Sequence, residues 1–125
     1  MTFETGFNNP AHVGDVITCQ EGAFTASAQL YNATGYPTPP DKGAFYCGVA
    51  VTVSFEGKRI TGAFSNARWG LEANPGAGVG NERLLIEANR LLPNALSDAR
   101  AWVRRLTDAH MQRATISVSG MGEMS

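Results

Sequence analysis

Groups that could attack, take a proton or hold a metal are scarce in this chain. The histidines are His12 and His110, and the cysteines are Cys19 and Cys47. A nucleophile and base can meet in space without being neighbours in sequence, so His12 or His110 could be paired with Cys19 or a serine. No motif supports such a pair: HExxH, GxSxG and Walker patterns are all missing from the sequence. His12 precedes the first expected strand and His110 follows an expected helix, both ordinary surface positions. Two cysteines without CxxC spacing or clustered histidine cannot make a four-ligand zinc site. No metal and no cofactor is therefore expected. Cys47 falls in an apolar row, where a buried, inert thiol is expected.

The carboxylates do not pair for acid–base work. Glu82 and Glu87 stand five apart and point to different sides of a helix, and the other acids are scattered singly. Arg83, Glu87 and Arg90 have the spacing of a solvated ion-pair ladder. One segment invites an anion. In Asn74-Pro75-Gly76-Ala77-Gly78-Val79-Gly80-Asn81, glycines ahead of a helix can turn backbone amides toward phosphate, aided by the helix dipole. Gly76, Gly78, Gly80 and Asn81, with Arg83 balancing charge, make this the alternative site, for a small phosphate-bearing ligand. Against it, the run is GxGxG rather than GxGxxG, carries no lysine, and lies in a chain too short for paired βαβ units. A flexible loop with a tight turn into the helix is the simpler expectation.

A net charge of −1 argues against strong non-specific binding of nucleic acid, which needs surplus Lys and Arg to neutralise phosphates. Residues 1 to 41 hold Glu4, Asp15, Glu21 and Asp41 and no Lys or Arg, so one side of the fold is expected to be mildly acidic. Two connections look longer than a compact domain requires. Asn32 to Ala44 includes Tyr36, Pro37, Pro39 and Pro40; Asn66 to Gly80 includes Arg68, Trp69 and Leu71. Long loops without structure of their own are often functional. An exposed Trp beside an Arg has the composition of an interface hot spot, although a loop Trp can equally turn inward and plug the core. Tyr36, Arg68 and Trp69, with the acidic Glu21 and Asp41, are the residues expected to meet a partner.

These residues need elements to position them. From Val13 to Tyr31 the chain reads as two strands turning at Gln20-Glu21-Gly22; Phe24, Ala26, Ala28 and Leu30 alternate with polar residues, the period of a half-buried strand. Phe45, Cys47, Val49, Val51, Val53 and Phe55 form one face of a longer strand, with the small Gly48, Ala50, Thr52 and Ser54 on the other. Glu56-Gly57-Lys58 then turns into a partner strand bearing Ile60, Gly62 and Phe64. The second face is small and weakly polar enough to be covered by another element or a second subunit.

Asn81 is expected to cap a helix bearing Leu84, Leu85, Ala88, Leu91 and Leu92, which ends at Pro93. Leu96, Ala99, Val103 and Leu106 mark a second helix, with Arg100, Arg104 and Arg105 opposite. Thr115 to Ser119 reads as a last short strand. A hairpin with an EGK turn leading into a helix is similar to part of a double-stranded-RNA-binding domain. The resemblance stops there, because Asn81-Glu82-Arg83 replaces the lysine-rich helix start and strands replace the initial helix; that function is not carried over.

The expected fold is α+β: a mainly antiparallel sheet of four to five strands with two C-terminal helices packed on one face. At 125 residues, 43% hydrophobic and 17% charged, one domain over 1–125 is expected, with 1–11 and 120–125 as loose ends. The start lacks a signal-peptide pattern and no apolar run approaches bilayer length, so a cytoplasmic protein without membrane contact is expected. The expected function is non-enzymatic: docking a protein partner, with self-association resting on the small second face alone. Small, near-neutral α+β chains are often encoded by phages or mobile elements and block a host complex such as a defence nuclease, which suggests an inhibitor.

Overall fold

The computed structural model describes residues 1–8, 11–33, 45–62, 66–73 and 79–124. Strands β1 (Val16–Glu21), β2 (Phe24–Asn32), β3 (Phe45–Phe55), β4 (Lys58–Arg59) and β5 (Asn66–Ala73) form one antiparallel sheet, followed by helix α1 (Val79–Met124). β3 is central. β2 pairs along its whole length on one side, while β4 and β5 divide the other, β4 beside Ser54 and Phe55 and β5 beside Phe45 to Val51. The α+β class and the antiparallel sheet agree with the sequence pattern.

Two-residue turns set the register of both hairpins. Glu21 pairs with Phe24 across Gly22-Ala23, and Phe55 with Lys58 across Glu56-Gly57. Glu56 and Gly57 both have positive φ, 50° and 82°, the type I′ pattern whose twist matches the strands it joins. The strand after this turn is far shorter than the alternation of Ile60, Gly62 and Phe64 predicts. The Thr61 hydroxyl accepts the Val53 N–H at 2.8 Å, taking the place of a backbone carbonyl, and β4 ends at Arg59. Phe64 lies outside the described residues.

The segment from Asn66 is not the loop expected from its composition. It is strand β5, which replaces β4 along β3 and brings Arg68 and Trp69 into the sheet. The reading failed because Gly70 interrupts the alternation. Trp69 and Leu71 are two apart and would share a face in a regular strand. A bulge between the Cys47 and Val49 registers, with Gly70 at φ 79°, puts Trp69 and Gly70 opposite the single residue Gly48 and turns Leu71 back to the core.

The core lies between one sheet face and α1. Ala26, Ala28 and Leu30 of β2, Cys47, Val49, Val51 and Val53 of β3, and Leu71 and Ala73 of β5 are buried against Leu84, Ala88, Leu92, Ala95, Leu96 and Ala99. Two helices broken at Pro93 were expected; there is one. Pro93 is exposed, and the apolar row keeps its three- and four-residue steps through it. An interior proline costs about 3 kcal/mol, whereas burying one leucine contributes about 1.5–3 kcal/mol, and buried leucines flank it on both sides. Thr115 to Ser119 is not a strand, since α1 runs through it to Met124, and residues 120–124 are helical rather than a loose tail. α1 begins at Val79, so Asn81 lies inside its first turn and is not the cap. At the other end of the chain, Phe3, Phe7 and Ala11 are buried in the core. The Asn89 side chain accepts the Phe3 N–H at 2.7 Å and donates to the Phe3 carbonyl at 3.0 Å, fixing this segment to the helix.

Candidate functional site

The helix covers one face of the sheet and leaves the other to be read from the register. Side chains alternate across a strand, so the positions opposite the core row point outward. They form levels: Gln20, Thr25, Ser54 and Arg59 at one end; then Thr18, Ser27 and Thr52; then Val16, Gln29, Ala50 and Ala67; then Tyr31, Gly48 and Trp69; and Tyr46 at the other end.

Trp69 dominates this face. Its indole lies across Gly48, where any Cβ would fall inside the ring, so a side chain larger than hydrogen is excluded at that point of β3. With one ring face on the backbone, Trp69 remains 38% exposed. Tyr31 stands beside it, ring centroids 6.3 Å apart at 52°, and donates its hydroxyl proton to the Gln29 side-chain oxygen at 3.1 Å. The result is an aromatic platform on a surface of small hydroxyl, amide and methyl groups. It settles how Trp69 sits: inward enough to cover Gly48, outward enough to be touched.

The expected partner-binding residues do not come together. Trp69 is on the outer face, but its neighbour Arg68 points to the helix side, where its guanidinium lies 3.5 Å from the Glu87 carboxylate. Glu21 is at the opposite edge of the sheet, also on the helix side, and accepts a hydrogen bond from Arg100 at 3.2 Å. Arg100 in turn lies 6.0 Å from the Phe24 ring centre. Tyr36 and Asp41 lie outside the described residues. So do Gly76 and Gly78 of the alternative phosphate site, while Gly80 and Asn81 belong to the first turn of α1 and Arg83 is exposed on it.

Glu87 departs most from its expected role. Its spacing from Arg83 and Arg90 reads as a solvated ladder, yet Glu87 is only 5% exposed and is wedged between α1 and β5. One carboxylate oxygen is shared by Arg68 and, at 3.7 Å, Arg90. The other, with the side-chain amide nitrogen of Asn66, is buried without a hydrogen-bond partner among the described residues. Strand β5 was not recognised in the sequence, so nothing there could place Arg68 against Glu87.

Groups suited to covalent chemistry are held in their unreactive forms. Burial pushes the Cys47 thiol up to about 11. Cys19 is raised mainly by burial; the N-terminal ammonium opposes the rise, and Glu21 and Glu4 add to it. A cleft of about 340 Å³ beside Cys19 is bordered by Met1, Thr2, Glu4 and Thr5, with no histidine. His12 is exposed, its backbone N–H donated to Asp15 at 2.9 Å. Among the described residues no three His, Cys, Asp or Glu side chains converge as metal ligands, and no helix is long and apolar enough to cross a membrane. A larger cleft of about 550 Å³ between α1 and the first hairpin is open, and its charged rim is already joined by the Arg100–Glu21 pair.

The fold is α+β: an antiparallel sheet with α1 packed on one face. Comparisons with protein families, with curated proteins and with solved structures find no match.

Proposed function

We propose that this protein is a non-enzymatic interaction protein that docks a macromolecular partner through the outer face of its sheet, around Trp69. The observation that carries the reading is the Trp69 indole spread over Gly48 beside Tyr31, on the face that α1 leaves uncovered. Trp and Tyr supply large contact area with few rotors to freeze, which is why they dominate interface energetics. Here Trp69 is already fixed by the backbone beneath it, so docking orders it at little further cost. The surrounding small and neutral Ser, Thr, Gln, Ala and Gly residues suit close approach by another polypeptide. They do not suit a phosphate backbone, which would ask for several Lys or Arg on the face.

The test is affinity capture from the native host by the wild-type protein and by Trp69→Ala. The variant is expected to keep its far-ultraviolet circular dichroism while losing most of its captured partner. Equal capture by a folded Trp69→Ala protein would remove the outer face from the function.

A further inference from the structure

The two edges of the sheet are finished differently. Beside β3, β4 is two residues long, both of them basic, and β5 carries the Gly70 bulge. Short length, lysine and bulges are the usual means by which an edge turns away a further strand. β1 forms the other edge and pairs with β2 alone. Its six residues, Val16 to Glu21, include no Lys, Arg, Pro or Gly. The turn before it fixes which backbone groups face away from β2. The Gly14 N–H donates to the Leu30 carbonyl at 2.8 Å and the Leu30 N–H to the Asp15 carbonyl at 3.0 Å, so Gly14, at φ 96°, and Asp15 both oppose Leu30 in a bulge. From there the ladder alternates: Ile17, Cys19 and Glu21 bond to β2, and the N–H and C=O groups of Val16, Thr18 and Gln20 point outward. Among the described residues no protein group bonds to these outward amides and carbonyls. All three residues are exposed, Val16 at 51%. A cleft of about 340 Å³ runs beside Thr18, Cys19 and Gln20, with Met1, Thr2, Glu4 and Thr5 on its far side.

A row of outward N–H and C=O groups recognises another extended backbone, and charge decides whose. Asp15 and Glu21 stand at the two ends of the row, about 20 Å apart, and Glu4 lies across the cleft. Their fields meet on the strand: the Cys19 thiol, raised chiefly by burial, is lowered by the N-terminal ammonium and raised further by Glu21 and Glu4. Arg100 pairs with Glu21 at 3.2 Å, but both side chains are exposed, and such a pair contributes little. Asp15 accepts only from neutral groups, the Asn8 side chain and the His12 backbone N–H. A second copy of the chain fits this edge poorly. The antiparallel β1–β1 pairing that uses all three outward residues of both strands is centred on Thr18, and it sets Glu21 of each copy opposite Asp15 of the other. Like charges directly opposite destabilise a strand pair. A foreign strand with Lys or Arg at its ends meets the same two acids favourably, and a β-branched middle suits Val16, Ile17 and Thr18.

We infer that β1 is a docking edge for an extended segment of another polypeptide, neutral and β-branched in its middle and basic at both ends, which adds a strand to the sheet. This contact is separate from Trp69 and goes beyond the outer-face reading without resting on it. Six backbone hydrogen bonds, less the cost of ordering the segment, make it weak by itself. Titration calorimetry of the full chain at low salt tests it, with the end-blocked peptide Lys-Val-Thr-Val-Thr-Val-Lys as the probe. Saturable binding is expected, weakened roughly tenfold or more when both lysines are replaced by glutamate. Centred on Thr18, the peptide turns the amides of its valines toward β1, so N-methylation at the three valines is expected to abolish binding and N-methylation at the two threonines to spare it. In the protein, Thr18→Pro removes an outward N–H at a position where an edge strand accepts proline and is expected to abolish binding with little change in melting temperature. Glu21→Lys is expected to narrow the preference for lysine ends, and Trp69→Ala to leave the affinity unchanged. No binding at millimolar peptide, equal binding of the lysine- and glutamate-ended forms, or undiminished binding of the valine-methylated form overturns the inference. Loss of binding in a folded Trp69→Ala protein overturns it too, by moving the segment to the outer face. Self-association of the chain that competes with the peptide and is lost in Thr18→Pro overturns the choice of a foreign occupant.

Discussion

The outer surface is shaped by three residues acting together. Gly48 has no side chain, so Trp69 can lie on the backbone of β3; Gly70 takes a positive φ, so the bulge can aim Trp69 outward and Leu71 inward. On the inner surface, Cys47 is wholly buried, and its thiol has a measurable consequence. The unfolded chain should ionise Cys47 near 9.0 and the folded protein near 11. Between those values the folded state holds the extra proton, so the contribution is complete below pH 9 and is lost as pH rises toward 11, at about 1.4 kcal/mol per pH unit. Denaturant titrations at pH 8, 9 and 10 are expected to show that decline in the wild type and a flatter one in Cys47→Ala. A slope unchanged by the substitution would mean that Cys47 is not the buried group responsible.

At the scale of elements, the central question is the continuity of α1. The sequence suggests two helices because proline usually ends one, and the phase of the apolar row across Pro93 is the signal that outweighs it. If α1 is continuous, Pro93→Ala supplies a missing N–H to the Asn89 carbonyl and removes a ring clash. Stability should then rise by about 1–3 kcal/mol, read as a higher denaturation midpoint with no loss of helical dichroism. No gain, or a loss, would favour a break at Pro93. The same scale shows what was legible. β1, β2 and β3 were readable because Ala26, Ala28 and Leu30 and the Cys47-to-Val53 row alternate without interruption. β5 was not, because its bulge falls between Arg68 and Leu71 and destroys the period of two. β4 is shorter than the alternation of Ile60 and Gly62 predicts because Thr61, through its side chain, ends the pairing.

Over the whole molecule, the two faces of the sheet are built differently. The inner face and α1 as far as Ala99 make the core, sealed at one edge by Glu87 with Arg68 and Arg90 and tied to the chain start through Asn89 and Phe3. Just past Ala99 the helix becomes more exposed: Trp102 and Leu106 are 40% and 52% exposed. The outer face carries Trp69 and Tyr31 on the other side. Part of it was visible in the sequence, where Gly48, Ala50, Thr52 and Ser54 read as a small, weakly polar row suited to cover. The grouping of Trp69 with Tyr31 was not, because they belong to strands separated in space by β3 and in sequence by 38 positions. For the same reason Arg68 and Glu21, neighbours of the site on a sequence-based reading, belong to the helix side.

Native mass spectrometry of the tagged protein, purified gently from its own host, tests the docking claim most directly. The account predicts a complex heavier than the 13.3 kDa chain, its added mass that of a polypeptide, which disappears when Trp69 is replaced by alanine in a protein that still folds. A bare monomer for the wild type, or an added mass that survives Trp69→Ala, would contradict it.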